Sequence, residues 1–347
     1  MNNILKIVIF CFNFGLILIE KLRIKKKIKN FLNIIDISVI IPIFNSEKYL
    51  SLCLKSVINQ SLNSIEIICI DDGSTDNSLK ILRDFRNIDN RIRIIHQKNK
   101  GSGLARNLGI KNSKGKYIAF LDSDDLYLNK FILEFMMQKA IQNNVVICGG
   151  GIINFIQDKN NKIILLTNKK IYFKNENNSK YADYQYDWFY QRFIYNKNFL
   201  KKNKLYFPNY SRYQDPPFFI KTMAIAKNFY SLKNITYFYR FSNKTKISDE
   251  KKLIDLYKGL KDCLDISNSL NLHKLYCRIL SHLNDKIIIN ETKRFIKSKK
   301  LKFIIFKILN NINYKIIEKE NFTFIKNSLY NEIKYFQYEY TNNLNNT

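Results

Sequence analysis

Three carboxylates fall within four positions of the stretch IAFLDSDDLYL, residues 118–128. Asp122, Asp124 and Asp125 follow a short apolar run that is typical of a buried strand. Carboxylates this close repel one another unless a cation lies between them, and Mg²⁺ and Mn²⁺ prefer such oxygen ligands together with substrate phosphates. The pattern favours a metal-diphosphate site; a solvated acidic turn that caps the next helix is the alternative.

A second acidic turn, IDDGSTD, occupies residues 70–76. Gly73 permits a tight turn there. Asp71 or Asp72 can accept hydrogen bonds from a nucleotide base or a ribose, whereas Asp76 is better suited to capping the helix that follows. This turn therefore offers a second set of oxygens to a ligand.

The elements that must position these residues alternate along the chain. The runs ISVIIPIF, IEIICI, IRIIHQ and KYIAFLD predict strands, and helical spacing follows each of them. This alternation predicts an α/β fold with a parallel sheet covered on both faces, where ligands collect at the carboxyl ends of the strands. Phe44-Asn45, Asp71–Gly73 and Asp122–Asp125 all stand at such ends, so we expect them to meet at one edge of the sheet.

The alternation is weaker after Gly151. A helix is predicted behind the two prolines of QDPPFF, a strand over ITYFYRFS, and helices from about Asp249 to near Tyr340. Trp188, the only tryptophan, is interpreted as a core residue rather than a sugar-stacking one.

Composition and charge restrict the class of protein. The 347 residues are 46% hydrophobic, which is typical of a globular chain, and 58 Lys and Arg stand against 29 acidic residues. The net charge of +29 favours either a membrane surface or simple compositional drift over a nucleic-acid partner.

Cysteines and histidines argue against several kinds of site. The six cysteines are widely spaced and predict reduced, packed thiols, and the three histidines are too far apart to suggest a zinc cluster or a Ser-His-Asp hydrolase.

The first 35 residues read differently from the rest. An apolar run over residues 4–19 is too short and too interrupted to span a bilayer, and a basic run follows from Lys21. Apolar then basic suits a helix that lies in an anionic leaflet, although a helix packed on the body of the protein is the alternative. We expect residues 1–35 to associate with a membrane.

Taken together, the motifs resemble the family-2 glycosyltransferases, nucleotide-sugar enzymes of the GT-A fold. The resemblance covers about residues 36–240 and rests on four stretches in family order. These stretches are ISVIIPIFNSEKYLSLCLKSVINQS, IEIICIDDGSTDNS, NKGSGLARNLGIKNSKGKYIAFLDSDD and QDPPFF. The resemblance implies a Rossmann-like, mostly parallel sheet with helices on both faces, and inverting sugar transfer from a nucleotide donor, commonly UDP-linked, helped by Mn²⁺ or Mg²⁺.

The resemblance also implies roles for particular residues. The nucleotide-sugar would be bound by residues from five segments: Pro42, Phe44, Asn45, Asp71, Asp72, Arg106, Asp122, Ser123, Asp124 and Arg240. Phe44 stands where the family more often has Tyr. Two of Asp122, Asp124 and Asp125 would hold the metal. For Arg106 an ion pair on a helix surface is the alternative.

A base is needed to take the proton of an acceptor hydroxyl. By the resemblance, Asp215 in RYQDPPFF matches the family's base, with Gln214 in place of Glu. Gln214 adds no negative charge, so a raised pKa of Asp215 would have to come from burial. An N-cap role before Pro216 is the alternative.

These inferences combine into one expected organisation. Residues 1–35 form the membrane-associating segment, 36–245 the catalytic domain, with a nucleotide-sugar half at about 36–127 and an acceptor half at about 128–245, and 246–347 a helical C-terminal region. The expected enzyme transfers a sugar to a glycan or lipid-linked acceptor in surface polysaccharide synthesis, at the inner face of the cell membrane. A nucleotidyltransferase or other nucleotide-sugar-binding protein is the first alternative, and a basic nucleic-acid-binding protein the second.

Overall fold

The computed structural model describes residues 34–160, 162–241, 249–295 and 297–322. The first 33 residues, and with them most of the predicted membrane-associating segment, lie outside this description, as do residues 323–347. The strands are β1 (Ile37–Ile43), β2 (Ile65–Asp71), β3 (Ile92–His96), β4 (Tyr117–Phe120), β5 (Ile147–Gln157), β6 (Ile163–Ile171), β7 (Asn177–Lys180), β8 (Phe193–Asn196) and β9 (Asn228–Arg240).

Helices connect and cover the strands. Up to residue 226 they are α1 (Glu47–Ile58), α2 (Ser78–Ile88), α3 (Ser102–Asn112), α4 (Ile132–Gln142), α5 (Tyr181–Tyr184), α6 (Lys197–Lys202) and α7 (Asp215–Ala226). The C-terminal helices are α8 (Glu250–Ser269), α9 (His273–His282), α10 (Lys286–Arg294), α11 (Lys299–Asn310) and α12 (Tyr314–Lys319). The predicted α/β fold with a helical C-terminal region is confirmed.

The described strands form one sheet in the order β3-β2-β1-β4-β8-β5-β9-β7, with β6 paired to β5. The first four strands are parallel to one another, as predicted. Beyond β4 the sheet is mixed, because β8 lies antiparallel between β4 and β5, whereas β5 and β9 are again parallel. The parallel character expected of the whole sheet is therefore concentrated in its first half.

Apolar side chains bury both faces of the parallel strands. Successive residues of a strand point to opposite faces, and in β1 Val39 and Ile41 join one apolar cluster with α1 and α4, whereas Ile40 joins another with α3 and α7. All seven residues of β1 are buried. This explains why the strand reads as a continuous β-branched run.

The C-terminal helices extend one of these two clusters. Leu253, Leu256 and Leu260 of α8 are buried in the same cluster as Phe218 and Phe219 of α7. Gly259 approaches the chain so closely that a Cβ atom there would lie 2.6 Å from the Tyr213 carbonyl oxygen. The C-terminal region is thus packed directly against the segment that leads into α7.

A polar contact reinforces this junction. His282 Nε2 of α9 lies 2.9 Å from Oδ2 of the fully buried Asp187. Trp188, predicted to be a core residue, packs edge-to-face on Tyr213 and His282.

One further sequence prediction can be compared with the described residues. Cys53, Cys69, Cys148, Cys263 and Cys277 are buried free thiols, as expected. None of the described helices is both long and apolar enough to cross a bilayer.

Candidate active site

The carboxyl ends of β1, β2 and β4 meet at one edge of the sheet. The turn after β1 is joined to the turn after β2, since Thr75 N donates to Asn45 Oδ1 at 2.8 Å. It is joined to the turn after β4 through Ser46 Oγ and Ser123 Oγ, which lie 2.7 Å apart. The predicted convergence of these three turns is confirmed.

Arg106 lies at the centre of this edge. Its Nη2 donates to Asp122 Oδ1 at 2.6 Å and its Nη1 to Asp215 Oδ1 at 3.3 Å. Its side chain is only 5% exposed, and its guanidinium lies over the rings of Tyr190 and Phe207. Burial alone would lower the pKa of Arg106, but the neighbouring Tyr190 and the two carboxylates outweigh it, so the group stays cationic. The ion pair that was the alternative for Arg106 exists, but the guanidinium is buried and connects Asp122, a predicted metal ligand, with Asp215, the predicted base.

Gln191 is a site residue that the sequence did not indicate. Its Nε2 donates to Asp122 Oδ2 at 3.0 Å, so both oxygens of that carboxylate accept a bond from the protein. Its own Oε1 is buried and has no hydrogen-bond partner among the described residues. In the sequence, QRF follows three aromatic residues and carries no signal of this role.

Asp215 is the first residue of α7, and Gln214 rather than Asp215 occupies the N-cap position. The N-cap alternative for Asp215 is therefore not the arrangement that forms. Burial raises the pKa of the Asp215 carboxyl to about 6; Arg106 opposes the rise and Asp122 adds to it. Gln214 Nε2 donates to Ser102 Oγ at 2.9 Å, which holds the start of α7 against the start of α3. A half-buried carboxyl with this pKa can accept a proton near neutral pH.

Asp125 has a structural position that differs from its predicted role. Its Oδ2 accepts from the Tyr237 hydroxyl at 2.7 Å and its Oδ1 from Arg240 N at 2.6 Å, and the residue is 1% exposed. Burial raises the pKa of Asp125 well above the usual value, with Asp124 and Asp122 adding to the rise. Asp125 ties the acidic turn to β9 instead of facing a ligand.

Asp122 and Asp124 are the partly exposed carboxylates of the acidic turn, and Asp122 already accepts bonds from Arg106 and Gln191. Among the described residues no group of three or more His, Cys, Asp or Glu side chains converges as a metal cluster. Burial, and then Asp122, raises the pKa of Asp124 to about 6. No other described residue is seen to hydrogen-bond to the Asp124 carboxylate, so an added cation would relieve the repulsion. Two carboxylates completed by substrate phosphates are a donor set that Mg²⁺ and Mn²⁺ accept.

Arg240 braces the acidic turn from the other side. Its Nε donates to the Asp124 carbonyl at 2.7 Å, and its guanidinium lies 4.3 Å from the centre of the Tyr49 ring. Burial lowers the pKa of Arg240. Its Nη2 is buried and has no hydrogen-bond partner among the described residues.

The predicted nucleotide contacts differ in accessibility. Phe44 is 49% exposed and offers a free ring face, whereas Pro42 is buried within β1. Asp72 is 2% exposed and accepts bonds from Gln97 Nε2, Lys100 N and Gly101 N. Asp71 is fully buried and lies 2.6 Å from His96 Nδ1. Asp72 therefore fixes the loop before α3 and Asp71 pairs with the end of β3, whereas Phe44 and Asn45 are exposed.

Comparison with known proteins identifies the domain type. Residues 38–202 match the family model described as glycosyl transferase family 2. The chain is 32% identical to the uncharacterized glycosyltransferase EpsJ of Bacillus subtilis over 214 residues, 59% of this chain and 60% of that protein. It is 29% identical to the glycosyltransferase GlyG of Streptococcus pneumoniae over 72% of this chain and 87% of that protein. The family resemblance read from the motifs is confirmed.

Solved structures give the same fold. The Staphylococcus aureus TarS fragment 1–349 in complex with UDP-GlcNAc superposes with a TM-score of 0.62 at 21% identity, over 81% of this chain and 83% of that one. At this identity the match establishes the architecture, and the predicted GT-A type is confirmed.

Proposed function

We propose that this glycosyltransferase, which carries a glycosyl transferase family 2 domain over residues 38–202, transfers a sugar with inversion from a UDP-linked donor to a glycan or lipid-linked acceptor. The observation that carries the proposal is the pair of bonds from Arg106 to Asp122 and Asp215. These bonds place the acidic turn after β4 on one side of the Arg106 guanidinium and the Asp215 carboxyl, which is suited to act as a base, on the other. A donor phosphate and an acceptor hydroxyl could meet between them.

The proposed reaction needs one proton transfer and one displacement. Asp215 accepts the proton of the acceptor hydroxyl while that oxygen bonds to the anomeric carbon. The bond from the anomeric carbon to the phosphate oxygen breaks, and the nucleoside diphosphate leaves with both electrons. Attack opposite the leaving group inverts the anomeric centre.

Charge on the leaving diphosphate is the second requirement. When bound, Mn²⁺ or Mg²⁺ held by Asp122 and Asp124 would neutralise part of this charge. Arg240 Nη2 and the buried Arg106 supply positive charge from the protein itself. The exposed ring of Phe44 would stack against the nucleotide base.

The donor is best tested first with UDP-GlcNAc, because a fold relative has been solved with that molecule. Titration calorimetry in Mn²⁺ should detect binding, and a chelator should abolish it. Labelled sugar should be transferred to lipid or glycan extracts with release of UDP. Release of pyrophosphate instead would indicate a nucleotidyltransferase and would contradict the proposal.

The role of Asp215 has a matched control. Asp215→Asn should lower transfer by about 10²- to 10⁴-fold, the usual contribution of a general base, while UDP-GlcNAc binding is retained. Asp183, an exposed aspartate of α5, provides the control variant Asp183→Asn, which should be fully active. Full activity of Asp215→Asn would reject the assigned base.

The cellular setting is also a proposal. Surface polysaccharide synthesis at the inner face of the cell membrane fits the basic charge of the chain and the apolar-then-basic order of residues 1–35. Flotation of the full chain with phospholipid vesicles, compared with a version that starts at residue 36, tests this attachment. Equal flotation of both would remove the role of the N-terminal segment.

A further inference from the structure

The amino ends of the parallel strands form the edge of the sheet opposite to the candidate active site. The first 33 residues join the described fold at this edge, where Lys116 N donates to the Ile35 carbonyl at 3.1 Å. Ile34, the first described residue, is 45% exposed. The apolar-then-basic segment of the sequence is thus attached at the end of the sheet that lies away from the acidic turn.

Lysines cluster around this point of attachment. Lys197, the first residue of α6, donates through N to the Lys116 carbonyl and through Nζ to the Lys114 carbonyl, both at 3.0 Å. Burial, and then the like charge of Lys201, lowers the pKa of Lys197. We call this group the basic end; it consists of the half-buried Lys197 and the exposed Lys114, Lys116, Lys201 and Lys202.

Carboxylates do not neutralise the basic end. Glu66 offsets part of the charge near Lys197, but it is buried and already accepts a bond from Arg93 Nη1 at 2.6 Å. The sequence has no Asp or Glu over residues 90–121 or 188–214. Within the part of the chain that the structure describes, no lysine of the basic end forms an ion pair with a carboxylate. The positive charge is therefore open to an external partner.

Exposed isoleucines lie at the same end of the molecule. Ile88 is 75% exposed and ends α2, just before β3 begins. Ile141 is 49% exposed in the last turn of α4, just before β5 begins. β5 runs in the same direction as β4, because both are antiparallel to β8. Both helices therefore return the chain to the amino ends of the strands, where Ile34 is exposed as well.

We propose that this end of the molecule faces a bilayer that contains anionic phospholipid, with the basic end among the headgroups and the exposed isoleucines against the lipid surface. Lysines near an anionic leaflet are attracted to it, and apolar side chains at the interface add to the binding. The proposal rests on the membrane setting proposed above and adds which surface of the folded domain meets the lipid. It does not depend on sugar transfer.

This orientation turns the catalytic edge away from the lipid. Lys116 and Asp122 lie on either side of β4, and six residues of extended chain span about 20 Å. A lipid-linked acceptor would have to carry its reacting hydroxyl this far from the headgroups. An acceptor that already bears several sugars fits this distance better than a lipid with a single sugar.

Two other partners fit this end less well. A second copy of the chain would bring two basic ends together, and like charges repel. A nucleic acid would satisfy the lysines but would leave the isoleucines against a charged backbone. Arg93, the arginine nearest to Lys114 in the sequence on the side of β3, is bound to Glu66 and to the Asn112 carbonyl, so it is not free for bidentate phosphate contacts.

Energy transfer to a headgroup dye tests the orientation in the full chain. Asn198, exposed on α6 beside Lys197, gives the reporter Asn198→Trp. Thr75, exposed in the turn after β2 at the catalytic edge, gives the matched reporter Thr75→Trp. Trp188 is the only native tryptophan, so the wild type gives the background. On phosphatidylglycerol vesicles that contain dansyl-labelled lipid, Asn198→Trp should transfer several-fold more energy above this background than Thr75→Trp.

Binding strength gives an independent measurement. Lys116→Gln/Lys201→Gln should lower partition onto phosphatidylglycerol vesicles at low salt by about fivefold for each lysine removed, and added salt should weaken the wild type. Lys48→Gln/Lys80→Gln removes the same charge from exposed positions at the starts of α1 and α2, beside the catalytic edge, and should partition like the wild type. UDP-GlcNAc binding by Lys116→Gln/Lys201→Gln should be unchanged, since both lysines lie at the other end of the sheet.

Several results would overturn the proposal. Equal energy transfer from the two reporters, or more from Thr75→Trp, would show that the basic end does not face the lipid, while the membrane setting itself would stand. A full chain that does not float with vesicles would remove both. Equal losses of partition in the two double variants would show that only total charge matters. Binding of single-stranded RNA that Lys116→Gln/Lys201→Gln weakens, with lipid partition unchanged, would favour nucleic acid.

Discussion

Arg106 binds two carboxylates with different predicted roles, and its removal should lower the free energy of unfolding of the chain. Arg106→Ala leaves Asp122 and Asp215 close together without their shared cation. Breaking a fully buried ion pair costs about 3–5 kcal/mol. Because these two side chains keep 21% and 27% of their surface exposed, we expect a smaller loss, about 2–3 kcal/mol of unfolding free energy in urea.

The exposed pair of Arg294 and Glu291 provides the comparison, with Arg294 60% exposed. Arg294→Ala should change the unfolding free energy by less than about 1 kcal/mol. If Arg106→Ala were as mild as this, the bridge would not stabilise the site.

The raised pKa of Asp215 predicts how activity depends on pH. A general base works only when it is ionised, and the pKa of Asp215, about 6, lies above the usual Asp value. If Asp215 is the proposed base, kcat/KM for sugar transfer should fall as the pH drops through about 6. Gln214→Glu places a like charge beside it and should move this limb to higher pH. Gln214→Met should not. A limb near pH 4, or one that Gln214→Glu leaves in place, would contradict the assignment.

The limits of sequence reasoning at this scale lie in distant contacts. The sequence indicated three charged candidate site residues, Asp122, Arg106 and Asp215, because each is a charged residue within a recognisable motif. Gln191 could not, because its role arises only when a chain segment 69 residues away brings its amide to Asp122. The hydrogen bonds of Asp125 could not be predicted for the same reason: its partners Tyr237 and Arg240 come from β9.

At the scale of secondary-structure elements, α3 packs so closely against β1 that the contact leaves no space for an added methyl group. A Cβ atom at Gly109 would lie 2.4 Å from Ile40 Cγ2. Gly109→Ala should therefore lower the unfolding free energy by about 1–3 kcal/mol. Lys111→Ala, at an exposed position of the same helix, is the control and should be nearly neutral.

A double variant tests whether the contact itself is responsible. Ile40→Ala alone should cost about 2–5 kcal/mol through a cavity. Combined with Gly109→Ala it should cost less than the two single losses together, because the shortened side chain makes space. If the losses of unfolding free energy in the two single variants simply add in the double variant, contact with Ile40 is not the cause of the Gly109→Ala effect.

Elements were predictable where local pattern and burial agree. β1, β2 and β4 are buried on both faces and read as β-branched runs, and α1 and α4 show apolar residues at helical spacing. β8 has four residues, FIYN, too few for a period, and its place between β4 and β5 depends on pairing with distant strands. The mixed half of the sheet was therefore beyond local reasoning.

At the scale of the whole molecule, the C-terminal helices should support catalysis through α8. A Cβ atom at Gly259 would lie 2.6 Å from the Tyr213 carbonyl oxygen. A backbone oxygen cannot move away by rotation of a side chain. Gly259→Ala should shift Tyr213 and, two residues later, Asp215, so we expect kcat to fall about tenfold or more. Lys251→Ala, exposed on the same helix, should keep full activity. A normal kcat in Gly259→Ala would show that the contact of α8 with Tyr213 does not influence catalysis.

β8 inserts between β4 and β5. β4, which leads into the acidic turn, is therefore hydrogen-bonded to a strand from the predicted acceptor half. Enzyme engineers who graft residues 128–245 from a paralogue would transplant that inner strand as well, and the Ile118–Tyr195 register would have to be rebuilt in every chimaera. Retargeting should therefore proceed by exchanging surface loops while the shared strand is left untouched.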